Sequence, residues 1–240
     1  MKKGIIIGAS SGIGHEVAKL LINEGWTLTV AARRTEPLET LKAMAPERVT
    51  TAHVDVTDSK ADKALEQLFR SMGQVDLYFH SAGIGKQNRD LHPDIELRTM
   101  DTNAVGFTRM IGTAFRLFAL QGHGHIACIS SVAGTKGLGP APAYSASKAL
   151  QNTYLQALEQ LAHSRRLDIR FTDIRPGFVN TPLLAGTATY PMLLRPESVA
   201  RTIVKAIKHR RHVVTIDRRW QVIVALWRLI PNAVWRRLRL

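Results

Sequence analysis

Gly4-Ile5-Ile6-Ile7-Gly8-Ala9-Ser10-Ser11-Gly12-Ile13-Gly14 is the stretch on which the fold turns. Its first four residues form a short apolar run bounded by glycine, which reads as a buried strand. From Ile13 to about Glu24 the apolar residues recur at helical spacing. Between the two lies a glycine turn of the form G-x-x-x-G-x-G. A turn that opens a helix directly after a strand leaves free N–H groups and the positive end of the helix dipole facing outward, where an anion is favoured. Glycine there allows the tight turn and lets the backbone approach a phosphate closely. A plain strand-to-helix joint would also use glycine. The position of the turn favours the pyrophosphate of a dinucleotide, held over Gly8, Ser10, Ser11, Gly12, Ile13 and Gly14.

Outward from this stretch the alternation continues. Strands are expected at 27–32, 49–54, 75–80, 124–130 and 167–174. Helices are expected at 37–45, near 59–71 with Ser59 as cap, across much of 94–120, and at 144–163 and 196–208. Near-continuous apolar strands separated by helices imply a parallel sheet covered on both faces, and right-handed crossovers make it doubly wound. The expectation is a Rossmann-like α/β fold, three layers α/β/α, in a single domain. A catalytic body is placed at 1–215, with a basic amphipathic extension at 216–240. With 240 residues and 45% hydrophobic content, the chain is long enough for a full core. One cysteine, Cys128, excludes an intrachain disulfide framework and a cysteine zinc cluster. Its apolar strand makes it an inert core thiol. No apolar run approaches membrane-spanning length, and the N-terminal run is too short for a secretory signal, so a cytoplasmic protein is expected.

The second strand ends Ala31-Ala32-Arg33-Arg34. An acid at this point would bind a ribose 2′-hydroxyl, whereas guanidinium groups match a 2′-phosphate. Arg33 and Arg34 therefore point to NADP rather than NAD, with Arg33 nearer the strand tip. Further on, Tyr144-Ser145-Ala146-Ser147-Lys148 sets a phenol and an amine at i and i+4, on one helix face. A nearby ammonium favours phenolate and lowers a phenol pKa, so the pair can shuttle a proton to or from an alcohol or carbonyl oxygen. Ser131 follows the fifth strand, at the sheet edge where ligands of open α/β sheets collect. Asn103 lies in the helical stretch after the fourth strand, where a side-chain amide could bind a water and relay protons from Lys148, a geometry that sequence spacing alone does not fix.

Together these residues resemble the short-chain dehydrogenase/reductase family, in its branch of roughly 250-residue subunits. The likeness rests on Gly8 to Gly14, Asp55-Val56, Ser81-Ala82-Gly83, Asn103, Ser131, Tyr144 to Lys148 and Pro176-Gly177, and covers residues 1 to about 208. It implies an oxidoreductase that interconverts a carbonyl and a secondary alcohol with NADP(H). Tyr144 would be the acid/base, Lys148 its pKa tuner and ribose ligand, Ser131 the carbonyl-orienting donor, and Asn103 the relay residue. Asp55 and Val56 would meet the adenine. Ala82, Gly83, Pro176, Gly177 and Val179 would lie along the cofactor, and Thr181 would reach its carboxamide. The resemblance also implies a homodimer or homotetramer built on the helices near 104–120 and 144–163. His80 departs from the family's usual asparagine and reads as a packed strand-end residue. The segment from Thr181 to Pro196 is short, which predicts a small lid. The rival reading is a non-catalytic dinucleotide-binding redox sensor, or an interaction protein working through its basic tail.

The formal charge is +14, and residues 195–240 hold 12 Lys/Arg against 2 Asp/Glu. Three of the four tryptophans also lie there: Trp220, Trp227 and Trp235. Pro231 divides the tail into two short helices. Apolar bulk mixed with Trp and Arg suits a peripheral membrane contact and an apolar substrate. The same pattern suits packing on the chain's own subunit or a neighbour's, closing the substrate cleft. Nucleic acid is disfavoured, because the basic residues alternate with bulky aliphatics.

Overall fold

Strand and helix alternate through the whole chain in the computed structural model, which describes residues 2–184 and 190–238. The strands are β1 (Lys3–Ile7), β2 (Thr27–Ala32), β3 (Val49–His53), β4 (Leu77–His80), β5 (His123–Ile129), β6 (Asp168–Pro176) and β7 (Val213–Ile216). The helices are α1 (Gly12–Asn23), α2 (Glu39–Met44), α3 (Ala61–Met72), α4 (Pro93–Met100), α5 (Phe107–Gln121), α6 (Pro142–Ser164), α7 (Pro196–Lys208), α8 (Arg218–Leu229) and α9 (Asn232–Trp235). The seven strands lie in the order β3-β2-β1-β4-β5-β6-β7, and all pair in parallel. This is the expected doubly wound, Rossmann-like sheet in one domain.

The period of two in a strand explains the layering. Ile5 and Ile7 of β1 face a core shared with Leu65, Phe69, Phe107, Met110 and Phe118. Ile6 faces the opposite core, with Val17, Leu21, Val199 and Ile203. Helices α3, α5 and α6 thus cover one face and α1, α2 and α7 the other, so a run of isoleucines is apolar on both sides. The strand order reverses beside β1, whose neighbours are β2 and β4. Such a switch point opens a crevice beyond the carboxyl ends of the strands.

The structure departs from expectation locally. β7 was not anticipated: it is four residues long and only Ile216 is buried, so its hydrophobic pattern is weak. Ser59 does not cap α3. Lys60 holds that position, and its amide donates to Asp58 Oδ1 at 2.8 Å. The stretch after β4 is helical as expected, running from α4 through a π-helical turn at Asp101–Gly106 into α5. The tail divides at Pro231 into α8 and α9 as expected. The predicted lid, from Thr181 to Pro196, lies partly outside the described residues.

Candidate active site

The crevice is a cleft of about 990 Å³ along the carboxyl edge of the sheet. Ser11 precedes α1 without making a side-chain cap bond, and the first turn of α1 carries no acid. The opening amides of the helix are thus left to an anion. Gly8 has φ +88, and a β-carbon there would sit 2.5 Å from the Ala82 amide nitrogen. Only glycine lets β1 and the β4 loop close up at this point. A β-carbon on Gly14 would lie 2.3 Å from Gly8 O, so Gly14 serves the approach of α1 to the turn and does not border the cleft.

Most candidate residues do border it: Gly8, Ser10, Ser11, Gly12, Ile13, Arg33, Arg34, Asp55, Val56, Ala82, Gly83, Ser131, Tyr144, Lys148, Pro176, Gly177, Val179 and Thr181. At the β2 end, Arg33 Nη1 stands 3.9 Å from Asp55 Oδ2. Burial works to raise the pKa of Asp55, but hydrogen bonds from the Thr57 amide and hydroxyl and the charge of Arg33 outweigh it, and the net shift is downward. A carboxylate is thereby held ready beside an exposed guanidinium.

At the β5 end, the Ser131 hydroxyl accepts from the Ala133 amide at 3.1 Å and is hydrogen-bonded to the Tyr144 phenol. Lys148 Nζ stands 5.7 Å from the centroid of the Tyr144 ring. The structure corrects one expectation here: the Tyr144 pKa is raised. Burial penalises phenolate, and the Ser131 hydrogen bond offsets this only in part. Burial likewise lowers Lys148 to about 8, with Cys128 and Asp173 opposing. The ammonium donates to Ile129 O at 3.1 Å and Gln151 Oε1 at 2.9 Å, which takes two of its three N–H donors.

Asn103 lies behind this pair, buried in the π-helical turn. Its side chain is committed: Oδ1 accepts from the Ile84 amide at 2.9 Å, and Nδ2 donates to Ile84 O at 2.7 Å and Ser147 Oγ at 3.2 Å. Both amide hydrogens are thus taken, which leaves only the second lone pair of Oδ1 to accept from a water. The link to Lys148 runs through Gln151, whose Nε2 donates to the main-chain oxygen of Asn103 at 2.8 Å. Gln151 was missed in the sequence reading, although its i+3 spacing from Lys148 on one helix face was the available signal. Gly85 was missed as well; a β-carbon there would meet the Tyr144 ring at 2.7 Å. His80 is a packed strand-end group. Its Nδ1 is 2.9 Å from the Tyr78 hydroxyl, and burial, with the nearby Lys148 charge, lowers its pKa to about 3. Cys128 is buried, and its thiol pKa is pushed well up by desolvation.

The tail forms the far wall. Trp220, Trp227 and Trp235 border the cleft with Phe178, Tyr190 and Leu138. The Trp227 indole donates to Thr135 Oγ1 at 2.9 Å, the Trp235 indole to Gly137 O at 2.8 Å, and Lys136 Nζ to Ile230 O at 3.1 Å. A β-carbon on Gly177 would fall 2.0 Å from Trp220 Nε1, so that glycine admits the indole. Trp220 Nε1 is itself buried without a hydrogen-bond partner among the described residues, an unmet donor at the wall of a ligand-sized cleft.

A parallel sheet with its crevice at the switch point, a glycine turn under a helix N-terminus and a Ser–Tyr–Lys group across the same cleft define a nucleotide-dependent oxidoreductase. The chain belongs to the short chain dehydrogenase family, whose sequence profile matches residues 2–190. An uncharacterized oxidoreductase of Mycobacterium tuberculosis is 31% identical over 246 residues, spanning 98% of this chain and 96% of that protein. An alcohol dehydrogenase from Thermococcus sibiricus, solved with 5-hydroxy-NADP, superposes with a TM-score of 0.78 at 22% identity, covering 90% of this chain and 96% of that one. A short-chain dehydrogenase/reductase from Burkholderia phymatum, solved with NAD, gives 0.82 at 21% identity, covering 94% and 92%. The protein is an oxidoreductase with an NAD(P)-binding fold.

Proposed function

We propose that the protein is an NADP(H)-dependent reductase or dehydrogenase that interconverts an apolar carbonyl compound and its secondary alcohol. The observation that carries this reading is the convergence of Ser131, Tyr144 and Lys148 in the cleft that also receives the Gly8–Gly14 turn and Arg33. The amides at the start of α1 would hold the pyrophosphate, and Arg33 and Arg34 the 2′-phosphate. Asp55 and Val56 would border the adenine, and Lys148 would bind the nicotinamide ribose. When bound, the nicotinamide supplies or accepts the hydride. Tyr144, kept protonated by its burial, donates its proton to the carbonyl oxygen as the alcohol forms. Ser131 donates a hydrogen bond to the same oxygen and fixes its position. Lys148 and Gln151 continue the polar chain to the Asn103 carbonyl. The wall of Trp220, Trp227 and Phe178 selects apolar bulk.

Apolar side chains also stand exposed on the outer sides of α5 and α6, at Leu120, Leu150 and Leu161, which supports assembly of like chains through those helices. Absorbance at 340 nm with NADPH or NADH and a panel of ketones, aldehydes and quinones tests the reading. Oxidation of NADPH by at least one apolar carbonyl is expected, and a panel inert with both cofactors would overturn it.

A further inference from the structure

Helix α8 is apolar on two opposite sides. Its inner side, Trp220, Ile223, Val224 and Trp227, packs on Val132 and Phe178 behind the cleft. Its outer side carries Val222, Leu226 and Leu229, respectively 59%, 60% and 78% exposed. These three recur at i, i+4 and i+7, so they form one stripe. Val234 and Leu238 continue the exposed apolar surface beyond Pro231. Residues 218–238 contain five arginines, Arg218, Arg219, Arg228, Arg236 and Arg237, and no acid. Arg219 pairs with Asp217, which also caps α8. The other four make no ion pair among the described residues. Nothing within the described chain covers the stripe, and the bonds from Trp227, Trp235 and Lys136 hold both helices in place on the cleft rim.

We propose that the outer faces of α8 and α9 form a docking surface for an anionic lipid bilayer. An apolar stripe edged by arginines matches the headgroup boundary, where aliphatic side chains enter the acyl region and guanidinium groups meet anionic headgroups. Among the described residues no helix is long and apolar enough to cross a membrane, so the contact is peripheral. A second copy of this chain fits less well: a two-fold contact would set Arg218, Arg228, Arg236 and Arg237 against themselves with no acid between them. Because the inner side of the same helix is the tryptophan wall, docking seats the substrate cleft at the lipid surface. This last consequence rests on the apolar-substrate reading; the docking itself does not.

The test uses the full chain and vesicles of phosphatidylcholine, alone or doped with phosphatidylglycerol. The protein is expected to co-sediment with the doped vesicles at low salt and much less with the plain ones. The double variants Leu226→Gln/Leu229→Gln and Arg218→Gln/Arg228→Gln should each weaken that binding about tenfold or more. Their melting temperatures and their turnover of a water-soluble carbonyl should match the parent. A parent that ignores anionic vesicles, or variants that bind as well as the parent, would overturn the proposal. So would a sedimentation-velocity result in which Leu226→Gln/Leu229→Gln dissociates an oligomer, since a second copy would then be the occupant. The vesicle readout needs no activity, so failure of the carbonyl reading and failure of the docking surface are told apart.

Discussion

Tyr144 has a phenol whose pKa is raised by burial, so the hydroxyl is protonated, and in the proposed mechanism its removal takes away the proton donor. Tyr144→Phe is expected to lower turnover by about 10²–10⁴, the range for loss of general acid catalysis, with the binding of NADPH little changed. Near-full activity in that variant would remove the assigned role. Arg33 makes a different kind of claim, about binding alone. Arg33→Ala should raise the KM for NADPH far more than that for NADH, because only the former has a 2′-phosphate for the guanidinium, and equal effects would refute the assignment. In the proposed mechanism Gln151 is a positioning residue, since it touches Lys148 and the Asn103 carbonyl but not the cleft. Burial lowers the pKa of Lys148 to about 8, Cys128 and Asp173 act to raise it, and its charge in turn lowers His80. If the cationic form supports turnover, activity falls as pH rises through that value. Gln151→Leu leaves the ammonium one acceptor short and should move the alkaline limb of kcat to lower pH. Gln151→Glu adds an anion and should move it higher. A residue that served packing alone would not move that limb in opposite directions in the two variants.

Helix α1 shows how an element depends on one missing side chain. A β-carbon at Gly14 would lie 2.3 Å from Gly8 O and 2.8 Å from Ser81 Oγ, so Gly14→Ala must push the helix off the turn. A stability loss of about 1–3 kcal/mol, the usual overpacking cost, is expected in urea unfolding, together with weaker NADPH binding. An unchanged midpoint and affinity would show that α1 does not need the contact. At this scale much could be read from the sequence. β2 and α7 fall where the apolar runs and helical spacing put them, and helices on both faces of the sheet follow from strands that are apolar on both sides. What stayed hidden depended on tertiary partners. β7 is a short edge strand whose exposed Val213 breaks the burial signal. The π-helical turn at Asp101–Gly106 adds a residue to a helix without changing its composition. The pKa of Tyr144 depends on how deeply the phenol sits and where Lys148 aims, neither of which spacing alone reveals. The two apolar sides of α8 were legible as bulk, but only packing tells which one faces the cleft.

Taken whole, the molecule encloses two imidazoles that burial keeps neutral, one beside each end of the parallel sheet. His80, at the carboxyl end of β4, is lowered to about 3 by desolvation and by Lys148. His125, near the start of β5, is lowered to about 4 by desolvation, then by Arg210, Arg170 and Lys2, and its Nε2 bonds Thr172 Oγ1 at 2.8 Å. Both folded values lie below the unfolded value of about 6.5, so the unfolded chain takes up protons that the native state refuses. The stability each provides is complete above about pH 6.5 and drains as the pH falls toward the folded values. Together they should cost about 2 kcal/mol between pH 6 and pH 5. The lowered carboxylates Asp55 and Asp217 act in the same direction but chiefly below about pH 4, since an ordinary aspartate titrates near 3.8. The positive charge of the chain complicates this window, because protonation of exposed histidines adds self-repulsion. Salt separates the two effects: it screens surface repulsion but leaves the desolvation of a buried imidazole in place. Urea unfolding at pH 7, 6 and 5 with added salt should therefore keep most of the slope, and His125→Gln, which can retain a bond to Thr172, should remove roughly half of it. A slope that vanishes with salt would assign the acid sensitivity to surface charge, and a slope unchanged in His125→Gln would clear that imidazole of any part in it.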